Sequence, residues 1–274
     1  MKKGTLWSIS SSLASLYERR WLIWYLIQRE VSSSYRGSFL GFFWAFLGPL
    51  LMIALYTLVF SEIIGLRFRE VEGNSSLNFG LYVYCGLIPF LAFADTLNQS
   101  VNTIRSNSTL VQKMVFPIEI LPMTTAVTAL ADKLLGLGVL AVVLAVLGYG
   151  LHWTILLLPL LIVVQLAFTL GLSYLFAVVG TYVPDVREAL QAVVRASFFI
   201  TPILWPAERI PDNLQFIVTY NPLAFLVVAY RDLILNGELP DGTHTFWFSL
   251  FAGALCAGGF ALFIRAKSRF ADLI

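Results

Sequence analysis

The sequence has little charge. Asp, Glu, Lys and Arg make up 12% of the 274 residues, whereas soluble domains contain about 25%. From Leu134 to Pro184 none of these four residue types occurs. Because about 20 apolar residues of helix cross the hydrocarbon core of a bilayer, this stretch predicts two crossings, joined at Gly148–Trp153. The low charge excludes a soluble protein, and a net charge of only +2 argues against a nucleic-acid partner.

Residues and motifs of common enzymes and metal sites are also scarce. There are two cysteines and two histidines, and Cys85 and Cys256 lie in apolar runs, far from any further zinc ligand. The sequence contains no HExxH helix, no serine elbow and no phosphate-binding GxxxxGK(S/T) loop. We therefore expect no catalytic residue, no metal site and no cofactor bound by this chain.

Few ionisable residues are expected at membrane depth, where they are functional candidates by default. The carboxylates are Asp95 and Asp132, and Lys133 follows Asp132 directly. Because adjacent residues of a helix point about 100° apart, the sequence predicts no ion pair between Asp132 and Lys133. The simplest interpretation is that these side chains face protein or reach the interface.

Six membrane crossings are predicted, which makes the fold class an all-α integral membrane protein with a single permease domain. The expected spans are about Phe42–Gly65, Phe79–Val101, Met123–Gly148, Trp153–Val179, Ala189–Trp205 and Phe246–Ile264. Residues 1–41 form the N-terminal segment, residues 42–264 the six-span region and residues 265–274 the tail.

Lysine and arginine are distributed unevenly, and such a bias marks the cytoplasmic side. Of the 18, two lie within spans, at Lys133 and Arg195, and four lie in gaps on one side, at Arg67, Arg69, Arg209 and Arg231. The other twelve lie on the side of the two termini. Both termini are therefore predicted to be cytoplasmic.

Two further apolar segments are predicted not to cross. Leu13–Val31 contains five charged residues and places its apolar side chains mainly on one face, as in a helix lying in the membrane interface. The alternative is an amphipathic helix packed on another protein. Leu214–Leu235 is split by Asn221-Pro222, and it predicts a re-entrant pair of half-helices, with Asp212-Asn213 capping the first and Pro222 starting the second.

Four short blocks are the most distinctive feature of the sequence: Tyr35–Trp44 with the break at Gly48–Leu50, Lys113–Pro122, Pro202-Ile203, and Asn221–Leu223 followed by Arg231. In this order, over about Trp21–Ile264, the chain resembles the ABC-transporter type 2 permeases that export bacterial surface polysaccharides. Those polysaccharides are O antigen, capsule and teichoic acid. One departure is Pro184 before Asp185, where the family commonly has arginine; Arg187 is a possible substitute.

The resemblance implies a location in the bacterial inner membrane and a separate ATPase subunit, which binds ATP and Mg. It places the ATPase contact in the cytoplasmic block between spans two and three. In that block Pro117 fixes the backbone, Phe116 offers an anchor, and Lys113 and Glu119 offer charges at the rim. The alternative is an ordinary cytoplasmic loop without a partner.

A conduit for sugar requires surfaces that contact rings without strict hydrogen-bond geometry, which aromatic faces provide. The expected channel residues in span one are Phe42, Phe46, Tyr56 and Phe60, and those in span five are Arg195, Phe198 and Trp205. Arg195 is a candidate to meet the phosphate of a lipid carrier. The alternative is that such aromatic stripes face lipid or another helix.

The leading hypothesis is the transmembrane subunit of an ATP-driven exporter of lipid-linked polysaccharide, most simply O antigen, working as a homodimer with two ATPase chains. One alternative is a type 2 permease for a drug or small lipid. Another is a membrane-embedded glycosyl or phosphoalcohol transferase, which would need clustered carboxylates that the sequence does not show. A purely structural membrane scaffold would need no ATPase partner.

Overall fold

The computed structural model describes residues 17–34, 39–65, 79–112, 116–207 and 210–273. In these ranges every regular element is helical, so the predicted all-α class is confirmed. The main helices are α1 Arg20–Ser34, α2 Gly41–Ile63, α3 Phe79–Ser100, α4 Ile120–Val146, α5 Leu158–Tyr182, α6 Val186–Ile200, α7 Pro222–Arg231 and α8 Gly242–Ala266. Short helices Thr103–Ser106 and Ser108–Val111 follow α3.

Five helical segments within the described ranges are long and apolar enough to cross a bilayer: Gly41–Ile63, Phe79–Ser100, Ile120–Val146, Trp153–Tyr182 and Gly242–Arg269. They correspond to predicted spans one to four and six. The predicted fifth span, Ala189–Trp205, is too long, because α6 has 15 residues and ends at Ile200. At 1.5 Å per residue it covers about 22 Å, less than the roughly 30 Å of a bilayer core. Pro202 explains the stop, since the residue before a proline disfavours helix.

The predicted pair of half-helices around Asn221-Pro222 is present, and we call it the hairpin. Segments Asp212–Thr219 and Pro222–Asn236 are bent by 87° against each other. Pro222 occupies the first turn of α7, and Asn221 Oδ1 accepts a hydrogen bond of 2.9 Å from the Leu223 N–H, as expected for an N-cap. The predicted cap of the first half-helix is wrong, since Asp212 accepts instead from the side chain of Gln215, at 3.2 Å.

Helix α3 is the centre of the bundle, and α2 is its most exposed span. In the apolar window of α3, 89% of the residues are buried, compared with 33% in α4 and 11% in α2. A helix that is apolar all round is suited to such a central place. Helix α2 instead presents most of its apolar side chains outward, to lipid or to another chain.

Buried polar groups and small residues fix the other helices around α3. The fully buried Gln165 on α5 donates to the Pro89 carbonyl at 3.1 Å and accepts from the Tyr230 hydroxyl at 2.6 Å. Helices α5 and α8 pack backbone to backbone, because a Cβ at Gly259 would collide with the carbonyl oxygen of Gly171. The hairpin and the last span are therefore attached to one rigid core.

Candidate functional site

A buried arginine attaches the hairpin to the bundle. Arg231, at the end of α7, is 3% exposed. Its guanidinium donates to the carbonyl of Tyr82 at 3.2 Å, of Pro202 at 2.6 Å and of Ile203 at 2.8 Å, and Cζ lies 3.5 Å from the centre of the Tyr82 ring. A planar fork of fixed donors suits several fixed acceptors. Arg231 therefore joins α3, the segment after α6 and the hairpin.

Sequence reasoning missed this role, because it counted Arg231 only as an outer-side charge and as part of a family block. The available signal was a single arginine in an otherwise apolar helix. Helix α3 accommodates the guanidinium through Gly86, where a Cβ would lie 2.6 Å from Nη2 of Arg231 and 2.9 Å from Cγ1 of Val227. The hairpin thus depends on a glycine that no local pattern identified.

Asp95, Asp132 and Lys133 form one cluster of charges between α3 and α4. Lys133 Nζ lies 2.9 Å from Asp95 Oδ2 and 2.8 Å from Asp132 Oδ2. The prediction that Asp132 and Lys133 do not pair is wrong. The lysine side chain is long enough to reach the neighbouring carboxylate, although the two residues point in different directions from the helix. Asp132 and Lys133 also line a cavity of about 250 Å³, with Trp44 and Pro49 of α2 on its other side.

The aromatic stripe predicted for span one is divided in two. Phe42 and Phe46 are exposed and contact each other edge to face at 5.6 Å. Tyr56 and Phe60 stack at 6.1 Å, and Phe60 packs on Phe79 of α3 at 5.3 Å. Only the first half of the stripe, Phe42 and Phe46, is therefore exposed in the isolated chain.

The residues predicted on span five also separate. Arg195 is exposed on α6, whereas Phe198 packs against Phe90 of α3 with ring centres 5.5 Å apart. Trp205 lies beyond the end of α6, and its Nε1 donates to the Phe199 carbonyl at 3.1 Å. That bond satisfies a carbonyl of the last helical turn.

The predicted ATPase-coupling block lies partly in the interior. Lys113 falls outside the described residues, Phe116 is half-buried, and Pro117 is buried. Glu119 is 3% exposed, and its Oε1 lies 3.3 Å from Nζ of Lys267. The predicted position of Glu119 at an exposed rim is therefore wrong. A buried carboxylate requires a cationic partner, which the end of the last span provides.

A second hydrophobic cluster supports this block. It is separate from the main core and includes Ile118 and Leu121 from the block, Tyr174 from α5, and Phe263 and Phe270 from the C-terminal part. The Tyr174 hydroxyl donates to the Glu119 carbonyl at 3.1 Å. We call this set the second cluster. It connects the block to α5 and α8 through packing, one hydrogen bond and one ion pair.

Comparison with known proteins covers almost the whole chain. A family model described as ABC-2 type transporter matches residues 22–235. The chain is 29% identical over 261 residues to the O-antigen export system permease protein RfbA of Myxococcus xanthus, covering 94% of this chain and 97% of that protein. It is 27% identical over 252 residues to a protein of the same name from Klebsiella pneumoniae, covering 91% and 93%. The polysialic acid transport protein KpsM of Escherichia coli is 26% identical over 243 residues, covering 87% and 90%.

Proposed function

The chain belongs to the ABC-2 type transporter family, and from that premise we propose that it is the transmembrane subunit of an ATP-driven exporter of lipid-linked polysaccharide, with O antigen as the first candidate. The main support is similarity to polysaccharide export permeases over nearly the full length of both proteins. The polysialic acid relative indicates that one scaffold serves more than one glycan. The chain makes and breaks no bond; it provides a path.

The energy comes from a separate ATPase subunit, because this sequence has no phosphate-binding loop. ATP and Mg are bound by that subunit, which docks at Lys113, Phe116 and Pro117. Glu119 works on the inner side of the contact, through its ion pair with Lys267. Because the block packs on the second cluster, a displacement caused by ATP binding passes directly to α5 and α8.

The working unit is a homodimer of this chain with two ATPase subunits. Helix α2 supports this assembly, since only 11% of its apolar window is buried within one chain. The path for the glycan lies between the two copies. Phe42, Phe46 and Arg195 are exposed toward it, and Trp205 stands at its outer end. Tyr56, Phe60 and Phe198 pack on α3 and support this wall from behind.

Both termini are placed on the cytoplasmic side of the bacterial inner membrane, with the hairpin at the outer mouth, because of the lysine and arginine bias. A cysteine at Asn213, which is exposed, should then react with a membrane-impermeant maleimide added to intact spheroplasts. A cysteine at the exposed Gln112, in a background without Cys85 and Cys256, should react only after permeabilisation. The reverse pattern would contradict the orientation.

The function is tested by deleting the gene and following the glycan. We expect lipid-linked polysaccharide to accumulate on the cytoplasmic leaflet, and surface polysaccharide to fall to background until the gene is restored on a plasmid. The measurement is glycan staining of intact and permeabilised cells. Normal surface glycan in the deletion strain, together with increased sensitivity to an amphiphilic drug, would favour the drug or small-lipid permease instead.

A further inference from the structure

A polar cavity of about 280 Å³ lies between α1, the end of α3 and the beginning of α4. The short helices after α3 and the first turn of α6 complete its wall. The lining groups that matter here are Arg29, Asn98, Gln99, Asn102 and Arg187. In the proposed orientation this cavity is on the cytoplasmic side, beside the interfacial helix. None of the proposed channel residues lines it, and from the coupling block only Leu121 does.

Two guanidinium groups converge on the cavity from different helices. Arg29 comes from α1 and Arg187 from the first turn of α6, and both are exposed. Among the described residues neither forms an ion pair or a side-chain hydrogen bond. Glu30 also lines the cavity, but it already takes part in another interaction. The cavity therefore has an excess of positive charge, carried by guanidinium groups, which bind phosphate oxygens well.

The amide groups of the cavity are also available. Asn98 Oδ1 is buried without a hydrogen-bond partner in the described part of the chain, and a buried acceptor of this kind is destabilising unless a ligand or water supplies a donor. Gln99 and Asn102 make no side-chain hydrogen bond within the same ranges. By contrast, Asn107 Nδ2 donates to the Thr103 carbonyl at 2.8 Å. Three amides without partners suit a ligand with several hydroxyl groups.

The volume of the cavity and its position beside α1 restrict the kind of ligand further. The volume of about 280 Å³ is just below the roughly 300 Å³ at which pockets for drug-sized molecules begin, so it suits a headgroup rather than a whole glycan. On helix α1 the exposed fraction of the side chain is 70% for Trp21, 61% for Trp24 and 57% for Tyr25. Such rings lie at headgroup depth, which leaves the adjacent bilayer for a lipid tail.

We propose that this cavity binds the sugar-phosphate headgroup of the lipid-linked glycan before transport, with Arg29 and Arg187 on the phosphate oxygens and Asn98, Gln99 and Asn102 on the sugar hydroxyls. The assignment rests on the proposed function, since it names where that cargo is first held. It is a binding site within one chain, separate from the path between the two copies.

The test measures binding of a short polyprenyl diphosphate oligosaccharide to the full-length permease with its ATPase subunit in nanodiscs. A photo-reactive residue replaces the partly buried Leu26 of the lining, and labelling by the glycan lipid is titrated. Arg29→Gln, Arg187→Gln and Asn102→Ala should each weaken binding about tenfold, the effect of losing one charge-assisted or well-placed hydrogen bond. Arg265→Gln is the matched control, because Arg265 is also exposed but does not line the cavity.

Competition distinguishes the sources of phosphate. Added at micromolar concentration as a competitor, polyprenyl diphosphate oligosaccharide should prevent photo-labelling by the glycan lipid used in the titration. Phosphatidylglycerol and inorganic phosphate should not prevent it. Equal displacement by phosphatidylglycerol would replace the substrate assignment with a general phospholipid site. If the wild type binds normally and all three cavity variants keep its affinity, the assignment of the headgroup site to this cavity is wrong. The proposed function would not be affected by that result. If the wild type binds no glycan lipid although its ATPase subunit is present, the proposed function itself fails.

Discussion

Replacing Arg231 by methionine should abolish export and lower the stability of the protein by about 3 kcal/mol. Methionine keeps much of the volume but leaves the carbonyls of Pro202 and Ile203 without the donors at 2.6 and 2.8 Å. An unsatisfied buried acceptor costs about 1–3 kcal/mol. The relief from no longer burying a cation reduces this loss, so we place the net effect below the sum for two acceptors.

Arg231→Lys keeps the charge but provides a point donor instead of a planar fork. The melting temperature of the lysine variant in detergent should lie between those of the methionine variant and the wild type. The amount of surface glycan should also be intermediate. Gly86→Ala tests the same contact from the opposite side, because the new Cβ would lie 2.6 Å from the guanidinium. Gly138→Ala is its matched control, since nothing lies within 4 Å of a Cβ there. A methionine variant that melts and exports like the wild type would contradict the bracing role.

Replacing Phe116 by aspartate should reduce co-purification of the ATPase subunit at least about tenfold, or about 1.4 kcal/mol of binding free energy. A central aromatic anchor of an interface commonly contributes 2 kcal/mol or more, and a carboxylate cannot replace it in an apolar contact. The measurement is the ratio of the two subunits after affinity purification at equal expression. Phe116→Leu should retain most of the binding.

The control for this experiment must separate a lost anchor from a damaged fold. Phe116 and Met123 are both half-buried and both pack against the second cluster, but Met123 belongs to α4 rather than to the proposed contact. Met123→Asp should therefore lower the melting temperature while the subunit ratio stays near that of the wild type. An equal loss of the ATPase subunit in both variants would mean that Phe116 acts only through the cluster.

The membrane architecture was largely predictable because hydrophobic length and proline position act locally. The uncharged run before Pro184 indicated two long apolar helices, and the break at Asn221-Pro222 indicated two half-helices; both pairs are present. The end of the fifth span was misplaced at Trp205. The effect of Pro202 on the preceding residue outweighed the continued hydrophobicity, and this signal was available in the sequence.

The channel and coupling residues were less predictable, because a stripe of side chains on one helix does not show which other helix packs against it. Tyr56 and Phe60 share a face with Phe42 and Phe46, yet Tyr56 and Phe60 pack against the core, with Phe60 on Phe79 of α3, whereas Phe42 and Phe46 are exposed. Glu119 has the composition of a rim charge, but Lys267, far away in the sequence, reaches it at 3.3 Å. Each of these outcomes depends on a partner from another helix, which no local pattern specifies.

What the sequence determined by itself is the solvent in which this protein folds and the places where its helices stop. The cost of charge in hydrocarbon and the missing donor of proline depend on residue type and order alone. The tertiary structure decided which charges are buried and which cavity stays polar. Arg231 donates to the carbonyls of Pro202 and Ile203, and Arg29 and Arg187 line the same cavity, only after the helices have packed. Such contacts require an exact distance between chain segments that are remote in sequence, and packing alone sets that distance.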